Sequence, residues 1–175
     1  GSYSCACAAG QINEDGHGGV CSDPVKLGVG IAHSCVITST GALYCWGFND
    51  SGQLGDGSQV DRTAPVRVGT GNNWQQVACG AQHTCGVAGD ALYCWGANPN
   101  GEVGTGATGV TMTPARVGSS TGWTAIATGI DYSCALQAGK LFCWGGGSLG
   151  QLGLGDRDGK PSPQQVGSGT TWSLI

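Results

Sequence analysis

The pentapeptide Leu43-Tyr44-Cys45-Trp46-Gly47 returns as Leu92-Tyr93-Cys94-Trp95-Gly96 and again as Leu141-Phe142-Cys143-Trp144-Gly145. Each step is 49 residues, from Trp46 to Trp95 and from Trp95 to Trp144. Trp74, Trp123 and Trp172 keep the same step, as do Pro65, Pro114 and Pro163, and Val68, Val117 and Val166. A fixed period of this size marks a stack of like units, each too small to bury its own apolar face. Within each unit, short β-type runs are divided by Gly, Asn, Asp and Pro, and no helical period is present. The fold class expected is therefore all-β.

The period divides the chain into an N-terminal segment, 1–24, and three repeats, 25–73, 74–122 and 123–171, with the opening of a fourth at 172–175. Leu27 to Ile37 reads as a strand passing Gly30. Leu43 to Trp46 reads as a second strand, and Pro65 to Val68 as a third, with Pro where no ladder bond is demanded of it. Between the second and third lies a glycine-punctuated loop, Asn49 to Gly57 in repeat one.

Cysteine follows the period too. Cys35 and Cys45, Cys85 and Cys94, and Cys134 and Cys143 each flank a predicted turn, so each pair faces itself across an antiparallel hairpin, within disulfide reach. Cys5, Cys7, Cys21 and Cys79 remain, with three possible pairings. Ten cysteines, an even number, suit full pairing in an oxidising compartment. The expectation is a disulfide staple from the N-terminal segment onto Cys79. Cys5, Cys7, His17 and Cys21 also offer four zinc ligands, but the C-x-C spacing is tighter than usual for zinc and that use leaves Cys79 single.

The motif Val77-Ala78-x-Gly80-x-x-His83-Thr84-Cys85, followed by Leu92-Tyr93-Cys94-Trp95-Gly96-x-Asn98-x-x-Gly101, resembles the repeat of the regulator of chromosome condensation 1 family. Gly52-Gln53-Leu54-Gly55-Asp56-Gly57 and Gly150 to Gly155 match that family's loop signature, and repeat two departs from it at Gly101-Glu102-Val103-Gly104-Thr105-Gly106. The resemblance covers residues 25 to 175. It implies β-propeller blades of four strands each, usually seven to a ring. Three repeats and a fragment do not make that number, so an incomplete or open propeller is expected, either part of a longer protein or capped by other chains. The family's best-known member is a nuclear exchange factor for a small GTPase. Paired cysteines and low charge argue instead for the setting of the secreted bacterial relatives, which are binding proteins.

Charge narrows the partners. Charged residues are 10% of the chain and the net charge is −4. Seven scattered Lys and Arg do not form a nucleic-acid footprint. No apolar run reaches the length of a membrane span. No signal peptide is visible, and Gly1-Ser2 resembles a mature or engineered start. The localisation expected is secreted or cell-surface.

No Ser-His-Asp order, paired carboxylates or phosphate loop is present, so no catalysis and no cofactor is expected. Asn49 to Gly52 and Asn13 to Gly16 set oxygen ligands near glycine, a weaker case for calcium, without the spacing of a calcium loop. His33 and His83 recur at one repeat position and read as structural. Trp46, Trp95 and Trp144 read as packing, with a sugar-stacking lectin as the alternative. Binding to a protein partner is the main expectation, through the loops Phe48 to Arg62, Ala97 to Met112 and Gly146 to Lys160. Candidate residues there are Asn49, Asp50, Asp56, Asn98, Asn100, Glu102, Asp156 and Arg157. The competing reading is self-association head to tail into a surface fibre, through Trp172, Leu174 and Ile175.

Overall fold

The computed structural model describes residues 9–13 and 21–175. Among them there are strands, turns and loops but no helix, and hence none long and apolar enough to cross a membrane. A short pair, β1 (Ile12–Asn13) and β2 (Cys21–Ser22), precedes three four-stranded antiparallel sheets. The first sheet runs β3 (Pro24–Val29), β4 (His33–Thr38), β5 (Leu43–Gly47), β6 (Arg62–Arg67). The second runs β7 (Trp74–Cys79), β8 (His83–Ala88), β9 (Ala91–Gly96), β10 (Thr111–Arg116). The third runs β11 (Trp123–Thr128), β12 (Tyr132–Gln137), β13 (Lys140–Gly145), β14 (Lys160–Gln165).

Every sheet is a simple meander, so neighbours in sequence are neighbours in space. Two expectations change here. The run Leu27 to Ile37 is two strands, because Gly30 to Ala32 turn the chain and Gly30 N–H bonds His33 C=O at 2.9 Å. The strand around Pro65 begins earlier, at Arg62. Its proline is tolerated because it lies on the outer edge, beside an irregular register between Cys45 and Gly47.

The three cysteine pairs are direct cross-strand partners: Cys35 with Cys45, Cys85 with Cys94 and Cys134 with Cys143. All three are disulfides, with Cα atoms 4.0, 4.1 and 4.1 Å apart. The staple to Cys79 is not formed. Cys79 is a buried free thiol, seated beside Gly28 where β7 packs on the first sheet. It acts there as a small apolar side chain, and burial pushes its thiol up to about 12. Cys21 is disulfide-bonded; Cys5, Cys7 and His17 lie outside the described residues, as do the acidic residues Glu14 and Asp15.

The core lies between sheets rather than within them. Cys35, Ile37, Leu43, Leu54 and Val68 of the first sheet and its loop meet Trp74 and Trp95 of the second. One step on, Cys85, Val87, Leu92, Val103 and Val117 meet Trp123 and Trp144. Trp74 sits edge-on to Tyr93 and Trp95, with ring centroids 5.8 and 5.7 Å away, and Trp123 edge-on to Phe142 at 5.5 Å. The rear of the first sheet is partly covered by the N-terminal segment, whose Ile12 packs on Val36, Ala42 and Tyr44. Trp172 enters as its counterparts do: its N–H bonds Gly139 C=O at 2.9 Å, as Trp74 bonds Gly41 and Trp123 bonds Asp90.

Candidate functional site

The joint between consecutive sheets is built the same way twice. Trp95 Nε1–H donates to Gln53 C=O at 2.9 Å, and Thr84 Oγ1–H donates to the same oxygen at 2.7 Å. Thr84 Oγ1 then accepts from His33 Nε2 at 2.8 Å, which places that histidine's proton on Nε2. In the next joint Trp144 Nε1–H donates to Glu102 C=O at 2.8 Å, Ser133 Oγ–H to the same oxygen at 3.1 Å, and His83 Nε2 lies 3.0 Å from Ser133 Oγ. A backbone strap closes each joint: Gly57 N–H to Met112 C=O at 3.0 Å and Gly106 N–H to Pro161 C=O at 2.8 Å. Gly55 (φ +74) and Gly104 (φ +76) lie flat on the indoles. A Cβ there would stand 2.5 and 2.6 Å from Trp95 Nε1 and Trp144 Nε1. These glycines are required both by their left-handed backbone and by that contact.

His33 and His83 are thus joint residues, and burial lowers both imidazoles from the ordinary 6.5 to about 4, with the charge of His33 adding to the effect at His83. The fold holds them neutral, whereas the unfolded chain takes up protons as pH falls below 6.5. Their stabilisation is therefore complete above 6.5 and is lost between 6.5 and about 4. At pH 5 roughly 1–2 kcal/mol per histidine should be gone. Melting compared at pH 7 and pH 5 checks this, and His83→Gln should weaken the dependence. An unchanged melting temperature between those two values would refute it.

The three loops treat their candidate residues unequally. Asn49 is fully buried. Its Oδ1 accepts from Leu54 N–H at 2.9 Å, and its Nδ2 donates to Ser58 C=O and Val60 C=O, both at 3.1 Å. Asn98 repeats the device, from Val103 N–H at 2.9 Å and to Ala107 C=O at 2.8 Å. Glu102 is buried and accepts from Asn100 N–H at 2.9 Å and Asn100 Nδ2 at 2.8 Å. Asp56 is ion-paired to Arg62 at 2.7 Å. Burial would raise its carboxyl, but hydrogen bonds from Ser58 and Arg62 outweigh that and hold it below the usual range. These four side chains shape the loops from inside. Asp50, Asn100, Asp156 and Arg157 stand exposed on the surface. A hydrogen bond from Lys160, 3.0 Å away, holds Asp156 below the usual range.

In repeat three the buried asparagine is replaced by Gly147. Beside it opens a cleft of about 280 Å³ between the second and third loops, lined among others by Pro99, Asn100, Asp131, Arg157 and Pro161. Arg157 makes no ion pair among the described residues, so its charge faces the cleft mouth without a partner. The structure also groups His33, Cys35 and Cys79, a cluster invisible in sequence because it spans two repeats. Cys35 sulfur is committed to its disulfide, which leaves two donors, short of a four-ligand site.

Models of the regulator of chromosome condensation (RCC1) repeat match residues 40–87, 90–136 and 138–173, and a second model of the same repeat matches 25–53 and 74–102. The chain belongs to the RCC1 repeat family. It is 39% identical over 64 residues to the ultraviolet-B receptor UVR8 of Arabidopsis thaliana, a stretch that is 35% of this chain and 14% of the receptor. It is also 39% identical over 62 residues to the human E3 ubiquitin-protein ligase HERC2, 34% of this chain and 1% of the ligase. Prp20p of Saccharomyces cerevisiae superposes with a TM-score of 0.75 at 23% identity, over 86% of this chain and 40% of that one. Human WBSCR16 does so at 0.72 and 24%, over 82% of this chain and 38% of that one. These likenesses show the fold: three blades of an RCC1-type propeller, spanning about two-fifths of the solved chains. The sheets described above are its blades, with β3, β7 and β11 innermost.

Proposed function

We propose that this chain is a non-enzymatic, extracellular protein-binding module that recognises its partner through the loop face between the second and third blades. The observation that carries the reading is the division of labour in the loops. Asn49, Asp56, Asn98 and Glu102 are spent on loop shape. Asn100 and Arg157 stand exposed on either side of a cleft of about 280 Å³. Polar groups on loops held by a rigid scaffold are the usual means of recognition. RCC1-type propellers of this shape engage proteins: Prp20p was studied for its binding to Gsp1p and histones, and yeast RCC1 was solved bound to Kap60. Three hairpin disulfides support an oxidising compartment.

A sugar-stacking role for the strand-end tryptophans has little support, since Trp95 and Trp144 are wholly buried. The test is capture from culture medium or cell surface by the native chain and by an Arg157→Glu variant. Because Arg157 is exposed and makes no ion pair among the described residues, the variant should fold normally and lose at least about tenfold in affinity, as expected for a charge reversed inside an interface. Undiminished capture would sink the assignment of this face.

A further inference from the structure

Cys79, a free thiol, lies against a disulfide inside the joint between the first and second blades. A ring nitrogen of His33, the sulfur of Cys35 and the sulfur of Cys79 are all within 4.8 Å of one another, and all three side chains are buried. Cys35 is bonded to Cys45 across the β4–β5 hairpin. His33 Nδ1, whose lone pair is free because the ring proton is on Nε2, is buried with no hydrogen-bond partner among the described residues. Thr84 and the backbone of Cys35 are the polar groups that face the thiol. One pocket thus holds a nucleophile, a disulfide and an uncommitted proton acceptor.

Two residues depart from the repeat together to make this arrangement. Cys79 stands where the first and third blades have Val29 and Thr128. Gly28, the cross-strand neighbour of Cys35, stands where the second and third blades have Ala78 and Ala127, the neighbours of Cys85 and Cys134. A Cβ at Gly28 would lie 3.1 Å from Val77 C=O and 3.2 Å from Cys79 Sγ. An alanine there would press on the sulfur, and glycine leaves it room above Cys35. Strand direction then selects the target. Cys79 pairs with Thr84 in the β7–β8 ladder and belongs to the core between the first and second blades. Cys85, the next residue along β8, faces the core between the second and third. The sulfur nearest in sequence is turned away, and one from a whole blade earlier is presented.

We propose that Cys79 exchanges with the Cys35–Cys45 bridge, giving the chain a second connectivity in which Cys35–Cys79 ties the first blade to the second. The Cys79 proton leaves, and the thiolate attacks Cys35 Sγ. The Cys35–Cys79 bond forms as the Cys35–Cys45 bond breaks, and Cys45 departs with the electron pair and takes up the proton. No oxidant or reductant is consumed. A bridge that pins one hairpin is exchanged for one that joins two blades, and the longer loop it closes constrains the unfolded chain more. Burial holds the thiol protonated, with His33 the titratable group beside it, so the exchange is slow at neutral pH and quickens as pH rises.

Cleavage after Lys and Arg separates the two connectivities. Leu27–Arg62 carries Cys35 and Cys45, and Val68–Arg116 carries Cys79, Cys85 and Cys94. These are two separate fragments before exchange and one linked pair after it. The 175-residue chain is held at about pH 7, 8 or 9, trapped with N-ethylmaleimide in denaturant at about pH 5, digested without reductant and weighed by mass spectrometry. The linked pair should accumulate with the maleimide on Cys45, about tenfold faster for each pH unit, while Cys134–Cys143 stays intact. Cys79→Ala should abolish it. A Cys45→Ser chain, in which Cys35 is free, should form the Cys35–Cys79 bridge with oxidised glutathione, which is reduced to two thiols. Maleimide that stays on Cys79 at about pH 9 would overturn the proposal. So would a folded Cys45→Ser chain that leaves Cys35 and Cys79 unlinked, or a Cys79 joined to Cys85, the mark of scrambling through the unfolded chain.

Discussion

Reduction of the three hairpin disulfides at neutral pH should unfold this chain at temperatures where the oxidised protein is folded. Each bridge closes a loop with a sequence separation of 10 or 9 residues, worth about 2.5 kcal/mol in the chain-entropy account. The bridges sit in different blades, so their effects should nearly add, to about 7 kcal/mol. A domain's whole stability is roughly 5–15 kcal/mol. Propeller blades lean on one another, so three hairpins loosened together leave few blades to lean on. Thermal melts with and without a dithiol reductant check this. Replacing one pair, Cys85 and Cys94, by alanine should lower the midpoint by about 5–10 °C, at about 2–4 °C per kcal/mol for a chain of this length. A reduced protein that melts within a few degrees of the oxidised one would show that the inter-blade core suffices alone.

Alanine at Trp95 or Trp144 should cost about 4 kcal/mol, and alanine at Trp46 only about 1–2 kcal/mol. The three occupy one position of the repeat, yet Trp95 and Trp144 have no exposed surface and each donates to a loop carbonyl of the preceding blade. Trp46 is half-buried and packs on the Val36, Ala42 and Tyr44 cluster, which Ile12 covers. Removing Trp95 or Trp144 opens a cavity in the middle of an inter-blade core, while removing Trp46 opens one at a half-buried position. Urea unfolding of the three variants measures the gradient. Equal losses would mean that these side chains act within their own blades and that the joint contributes little.

Much of the fold was legible because the repeat displays it. The period gave the number of blades, and the cysteine spacing across a turn gave the bridges, since both are local facts. The identity of the joint was not legible. His33, Thr84 and Gln53 meet from positions 31 to 51 residues apart, and nothing local marks them as partners. Asn49 and Asn98 sit in glycine-rich loops, where recognition residues are expected; the signal of their structural use is recurrence in two repeats, with Gly147 in the third. Counting does not reveal the state of Cys79: an even total suggests full pairing, but on an inner strand burial as a thiol is a sufficient use for it. The surface division, with Asn100 and Arg157 outside and Glu102 inside, depends on the direction of side chains in irregular backbone, which periodicity does not specify.

The receptor for each tryptophan is a main-chain carbonyl, that of Gln53 in one joint and Glu102 in the other. Every residue has that oxygen, so what is asked of the loop is a backbone path with room beside it, rather than a matching side chain. The side chains that cross the joint, a histidine to a Thr or Ser hydroxyl and an indole over a glycine, recur from one joint to the next, so units that keep this pattern can follow one another. A gene encoding such a protein can lengthen by duplicating one unit, or lose one, without a compensating change at the new boundary. The exposed loop residues are then free to diverge copy by copy.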